Sequence, residues 1–118
     1  MKGIFPVERF QSIRTPFYYY DTELLRKTLR TINEEAGKHD NFVVHYAVKA
    51  NANPAILRII REAGLGVDCV SGGEIEAAIK AGFKPSGIVY AGVGKSDWEI
   101  NLSLDNNIFC FNVESLAE

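Results

Sequence analysis

Several features that mark other classes of protein are scarce in this sequence of 118 residues. The two cysteines, Cys69 and Cys110, lie inside apolar runs, where a reduced thiol packs as a small hydrophobic side chain, so we predict no disulfide framework. The basic residues are scattered and the formal net charge is -2, so no basic stripe indicates a nucleic-acid partner. Apolar runs are too short to span a membrane, and the N-terminus lacks the apolar core of a signal peptide. We therefore expect a cytoplasmic protein without membrane or nucleic-acid partners.

What the sequence does contain is an alternation of strand-like and helix-like segments. Runs rich in β-branched and aromatic residues begin about 20 to 25 residues apart, which is the length of one βα unit. The predicted strands are Phe17 to Tyr20, Phe42 to Val48, Gly66 to Val70, Ile88 to Ala91 and Ile108 to Asn112. Such alternation predicts a parallel sheet with right-handed crossovers, either doubly wound or belonging to a barrel.

The helices expected between these strands have clear start signals. Their predicted N-caps are Asp21, Asn53, Ser71 and Ser96, of which the last two begin Ser-x-x-Glu capping boxes. Glycines at positions 37, 64 and 82 are expected to end the first three helices. A further helix is expected to begin near Glu114 or Ser115.

Two charged side chains lie within or next to the predicted strands. Alternation along the second strand places Lys49 on the same face as Ala47, at the carboxyl end, where parallel α/β sheets bind ligands. Asp68 lies inside the next strand, where a buried carboxylate needs a partner, and Lys49 is the obvious candidate. The pair therefore indicates either a ligand site or a structural ion pair, although a lone lysine at a strand end is more often a solvated charge. We expect His45, lower on the same face, to be a hydrogen-bonded core residue.

Two glycine-containing loops follow predicted strands. Gly72 and Gly73 lie inside the first capping box, which explains them structurally, yet glycine also lets a backbone approach a ligand closely. The second loop, GVGKS from Gly92 to Ser96, lacks the earlier glycine of a P-loop, so we exclude nucleoside triphosphate binding.

Ordered motifs along the chain resemble a known family. They are TPFYYYD (15–21), YAVKAN (46–51), GVDCVSGGE (66–74), AGVGKS (91–96) and NVES (112–115). Together they resemble the pyridoxal-phosphate-dependent decarboxylases with an alanine-racemase-like barrel, and within them the diaminopimelate decarboxylases. The resemblance implies an α/β fold that forms the N-terminal half of a (β/α)8 TIM barrel. It also implies that residues 1–118 are one partial barrel domain, in which residues 1–21 pack with a C-terminal β domain of a longer protein.

The same resemblance implies roles for particular residues. Lys49 would form a covalent imine with pyridoxal 5'-phosphate, Ala47 would line the pocket beneath the ring, and Asp68 and Glu74 would lie close to the cofactor. No metal site is implied.

The implied reaction converts meso-2,6-diaminopimelate to L-lysine and carbon dioxide, the last step of lysine biosynthesis. The full-length enzyme would be a homodimer acting on a small amino acid, and this segment alone would be inactive. The alternatives are an ornithine- or arginine-type decarboxylase, a non-catalytic pyridoxal-phosphate-binding relative, or a plain α/β interaction domain with a Lys49–Asp68 ion pair.

Overall fold

The computed structural model describes residues 3–118, which form one parallel sheet covered by helices. The four strands are β1 (His45–Ala47), β2 (Gly66–Cys69), β3 (Ile88–Tyr90) and β4 (Cys110–Phe111). Their order in the sheet is the order in the sequence, and each neighbouring pair is parallel. A doubly wound sheet reverses its strand order at a switch point, whereas a barrel wall does not. The predicted partial barrel is therefore confirmed.

Five α-helices accompany the strands in the described part of the chain: α1 (Val7–Phe10), α2 (Thr22–Ala36), α3 (Pro54–Glu62), α4 (Gly72–Lys80) and α5 (Asp97–Asp105). Short 3-10 helices cover Val48–Ala50 and Pro85–Gly87. The predicted caps are confirmed at α2 and α3, where the side chains of Asp21 and Asn53 each accept a backbone N–H at 2.9 Å. Within residues 3–118, no helix combines the length and apolarity needed to cross a bilayer.

The core lies between the sheet and the helices that cover one of its faces. On that face Val67, Ile88 and Tyr90 are almost completely buried, and Leu57 and Ile75 pack from α3 and α4. The register aligns a second set of residues on the opposite face, which is the inner face of a barrel: Ala47, Asp68, Val89 and Cys110. These inner residues are only partly buried, so the inner face is the accessible one.

The two ends of the chain differ from the middle. Phe17 to Tyr20 has no strand pairing among the described residues, and the resemblance implies that its neighbour belongs to the C-terminal β domain of a longer protein, so this strand stays a prediction. The expected helix near Glu114 is instead a turn, in which the backbone N–H of Glu114 donates to the side chain of Glu118 at 2.8 Å. The Glu118 carboxylate thus accepts a hydrogen bond from a backbone N–H that would have had no partner in the first turn of a helix.

The strand that leads to Lys49 is also shorter than predicted. Hydrogen-bonded pairing begins at His45 and stops at Ala47, and the chain then turns into the 3-10 helix Val48–Ala50. The expectation that Lys49 continues the face of Ala47 along a strand is therefore wrong. Lys49 instead lies on the first turn beyond the sheet, with an exposed side chain.

Candidate cofactor site

Lys49 is held at the carboxyl end of the sheet by its neighbours in the sequence. Val48 is completely buried and anchors the turn in the core, so Lys49, the next residue, is directed away from it. The turn contacts both β2 and α4. Lys49, an exposed residue, therefore lies at the carboxyl ends of β1 and β2, which is where barrel enzymes bind their ligands.

Tyr46 fixes the other end of this turn. Its hydroxyl donates to the carbonyl of Asn51 at 3.1 Å, and burial raises the pKa of Tyr46 above its ordinary value, so the hydroxyl remains a donor at neutral pH. The side chain of Asn51 in turn accepts from the backbone N–H of Asn53, the cap of α3. The sequence interpretation missed Tyr46, although it lies within the YAVKAN motif.

Asp68 occupies the inner face next to this turn. In the pairing of β1 with β2, Asp68 lies beside Ala47, which is two residues before Lys49. The small side chain of Ala47 leaves space next to Asp68. The Oδ1 atom of Asp68 is buried without a hydrogen-bond partner. No ion pair joins Asp68 to Lys49 within 4.0 Å in the described part of the chain, so the structural ion pair considered from the sequence is not formed.

Glu74 lies at the same edge, in the first turn of α4. The predicted capping box is half formed, because Ser71 accepts from the backbone N–H of Glu74 at 3.3 Å while the Glu74 carboxylate accepts from Val70 at 2.9 Å. Glu74 thereby fixes the backbone that leaves β2. The structure thus brings Lys49, Ala47, Asp68 and Glu74 to one edge of the sheet.

A carboxylate that the sequence interpretation treated only as a helix cap joins two of the loops. One oxygen of Glu99 accepts from the backbone N–H of Gly72 at 2.7 Å, and the other accepts from the backbone N–H and hydroxyl of Ser96 at 3.0 and 2.6 Å. The bond from Gly72, with those from Ser96, lowers the pKa of Glu99 to about 2. A charged Glu99 therefore ties the loop after β2 to the loop after β3.

The buried groups beneath these loops are neutral. Burial, with smaller contributions from Glu74 and Asp68, raises the pKa of the free Cys69 thiol to about 12. Burial next to Glu99 likewise raises the pKa of Tyr90 to about 12. A thiol with such a pKa is a poor nucleophile, so Cys69 packs as a hydrophobic residue, as its surroundings in the sequence indicate.

Comparison with known families gives the site its context. The family model described as "Pyridoxal-dependent decarboxylase, pyridoxal binding domain" matches residues 23–118. The chain belongs to this family. Its pyridoxal cofactor agrees with the cofactor that the sequence motifs imply.

Individual relatives extend the comparison. A diaminopimelate decarboxylase of Bacteroides thetaiotaomicron is 65% identical over 118 residues, which are 100% of this chain and 31% of that protein. The crystal structure of diaminopimelate decarboxylase from Helicobacter pylori complexed with L-lysine superposes with a TM-score of 0.83 and 47% identity, over 92% of this chain and 27% of that one. The chain thus spans less than a third of the length of either relative.

A more distant structure shows the extent of the fold. The lysine/ornithine decarboxylase of Vibrio vulnificus, solved with putrescine, has a TM-score of 0.71 at 23% identity, over 80% of this chain and 25% of that one. At this identity the likeness shows the shared fold alone.

Proposed function

We propose that this chain is the cofactor-anchoring part of a diaminopimelate decarboxylase, which converts meso-2,6-diaminopimelate to L-lysine and carbon dioxide. The observation that carries the proposal is the 65% identity to the Bacteroides thetaiotaomicron enzyme along the whole chain. An ornithine- or arginine-type activity is less well supported, because the lysine/ornithine decarboxylase is only 23% identical.

The described residues fit pyridoxal phosphate at the carboxyl edge of the sheet. The exposed amine of Lys49 supports its assignment as the residue that bonds the cofactor. The buried Oδ1 of Asp68 lacks a partner, as expected of a carboxylate that receives a donor from a bound group. Ala47, aligned with Asp68, leaves space for a flat ring on the inner face.

Each of these residues then has a distinct task. When bound, pyridoxal phosphate accepts the electron pair that remains as carbon dioxide departs. Lys49 provides the attachment point, and the hydrogen bond from the partly buried Tyr46 to Asn51 keeps its turn closed. Glu74 holds the backbone at Val70, which fixes the position of the neighbouring strand end and thus of Asp68. Holding a cofactor in one orientation selects which bond of the substrate breaks.

The proposal extends to the longer protein. Because the chain spans 31% of one relative and 27% of another, we propose that residues 1–118 lack decarboxylase activity on their own. Phe5 and Tyr18 are 69% and 88% exposed, which supports packing of residues 1–21 against a further domain. We further propose a cytoplasmic homodimer that acts on a small amino acid without nucleic-acid or membrane partners.

The test uses the full-length protein that contains this segment. Purified enzyme is reduced with borohydride and digested, and we expect the pyridoxyl group on the peptide that carries Lys49. Carbon dioxide release is then measured with meso-diaminopimelate, ornithine, arginine and lysine. Lys49→Ala is expected to abolish carbon dioxide release. Lys38→Ala is the control and is expected to retain release, because Lys38 is exposed and its ammonium binds Glu35 at 2.6 Å.

Several results would contradict the proposal. An active Lys49→Ala enzyme would remove Lys49 from the mechanism. Bound cofactor without carbon dioxide release from any of the four substrates would indicate the non-catalytic relative. Faster turnover of ornithine or arginine than of diaminopimelate would reassign the substrate.

A further inference from the structure

Lys95, in the GVGKS loop, has an environment that the proposed function does not explain. Its side chain is only 2% exposed. The ammonium donates to the carbonyls of Gly92 at 2.6 Å and Asn112 at 2.7 Å, and to the carboxylate of Glu118. Its three donors therefore meet three acceptors, which is the full capacity of a lysine. Such a side chain is a buried, satisfied charge and is not available as a solvated binding group.

The three acceptors come from two different loops. Gly92 follows β3, whereas Asn112 and Glu118 follow β4. The Glu118 carboxylate also accepts from the backbone of Glu114, so Lys95 closes the turn after β4 as well as joining it to the previous loop. The Lys95 side chain is buried, so removal of its ammonium would leave the two carbonyls and the Glu118 carboxylate without their donor.

These two loops border the candidate cofactor site. Val89 in β3 and Cys110 in β4 continue the inner-face row that begins with Ala47 and Asp68. The Lys95 ammonium also lies 5.5 Å from the ring centroid of Tyr90, the last residue of β3, whose ring lies on the opposite, helix-covered face of the sheet. Movement of the loops would shift the ends of β3 and β4 and, with them, Val89, which lies beside Asp68 on the inner face.

We propose that Lys95 is a positioning residue, whose buried ammonium locks the loops after β3 and β4 together and so fixes one wall of the pyridoxal phosphate pocket. This inference rests on the proposed function, because it assigns a purpose to the lock at that same site. It does not place Lys95 in contact with the cofactor or the substrate.

The test compares Lys95→Met with a matched control in the full-length protein. Methionine has a similar length but donates no hydrogen bond, so it leaves all three acceptors without their donor. Lys80→Met is the control, because Lys80 is 79% exposed and meets Glu76 only at 3.8 Å. Amide hydrogen exchange is measured on the cofactor-free protein, and cofactor dissociation is followed by absorbance after loading.

In Lys95→Met we expect exchange in residues 91–96 and 112–118 to quicken by at least about tenfold, with α3 unchanged. We also expect pyridoxal phosphate to dissociate at least about tenfold faster, while borohydride still labels Lys49 at saturating cofactor. If Lys95→Met does not fold, Glu118→Gln provides a milder variant. We expect it to give smaller increases in hydrogen exchange and in cofactor dissociation, because Lys95 keeps both of its carbonyl acceptors. Lys80→Met is expected to change neither quantity.

Two results would overturn the inference while leaving the proposed function intact. Unchanged exchange in both loops would show that Lys95 does not lock them. Faster exchange with normal cofactor dissociation would show a structural role without influence on the pocket. A wild-type enzyme that holds no pyridoxal phosphate at Lys49 would instead refute the proposed function, and the inference with it.

Discussion

Replacing Glu99 with glutamine is expected to loosen the junction between the loops after β2 and β3. The carboxylate accepts three hydrogen bonds, from the backbone of Gly72 and from the backbone and hydroxyl of Ser96. A glutamine side chain has one carbonyl oxygen, and its NH2 group would face a backbone N–H, so one donor would lose its partner. The change removes a charge and an acceptor while keeping the size of the side chain.

The size of the effect follows from the pKa of Glu99, which is lowered from 4.5 to about 2. Each pKa unit corresponds to about 1.4 kcal/mol, which sets an upper bound of about 3.5 kcal/mol. Glu99 is partly exposed, and solvent screening reduces the expected loss to about 1 to 2 kcal/mol. That loss corresponds to about 5- to 30-fold faster hydrogen exchange at Gly72.

The expected loss has a defined pH dependence. Because the folded protein holds the pKa of Glu99 below its ordinary value, the stabilisation is complete above about pH 4.5 and disappears as the pH falls towards about 2. The difference between wild type and Glu99→Gln should therefore be constant from pH 6 to 8 and shrink below pH 4.5.

Hydrogen exchange of the full-length protein, corrected for intrinsic rates, measures both effects. Glu76→Gln is the matched control, because Glu76 lies in α4, the helix that begins at Gly72, and its carboxylate lies 3.8 Å from Lys80, so the stability lost should be at most a few tenths of a kcal/mol. Unchanged exchange at Gly72 in Glu99→Gln, or an equal effect in Glu76→Gln, would refute the reasoning.

Three further substitutions test the packing around the site. Gly66→Ala should destabilise the protein by about 1 to 3 kcal/mol in thermal unfolding, because its Cβ would lie 2.5 Å from the His45 ring and 2.7 Å from a backbone oxygen; an unchanged midpoint would contradict this. Gly72→Ala should displace the ring of Trp98, with which the added Cβ would clash, and shift the Trp98 fluorescence to longer wavelength; an unshifted spectrum would contradict that contact. Asp21→Ala should lower the thermal unfolding midpoint at neutral pH, and this loss should diminish as the pH falls through the lowered pKa of Asp21; a loss that persists at lower pH would exclude the cap as its cause.

The middle of the chain could be predicted from the sequence because its local signals agree. Asp21 and Asn53 cap the helices expected of them, and Gly64 and Gly82 adopt the left-handed φ values, 86° and 87°, that end helices. The ends could not be predicted in the same way. Residues 17–20 have strand-like composition, but a strand requires a neighbour.

The position of Lys49 was predictable only in part. Alternation along an apolar run identifies the end of β1, but it cannot show that pairing stops at Ala47. The register between Ala47 and Asp68 depends on contacts distant in sequence, as does the absence of an ion pair between Asp68 and Lys49. The sequence therefore predicts the residues of the site better than their contacts.

The charged residues at the carboxyl edge of the sheet divide into two groups. Glu74, Glu99 and Lys95 bind main-chain groups, and together they hold the loops that follow β2, β3 and β4. Lys49 is exposed and Asp68 keeps a buried oxygen without a hydrogen-bond partner among the described residues, so neither is committed to a main-chain group in the way that the first three are. A motif such as GVGKS is therefore informative about this end of the sheet even though its lysine does not point to a ligand, because Lys95 joins the loops that follow β3 and β4.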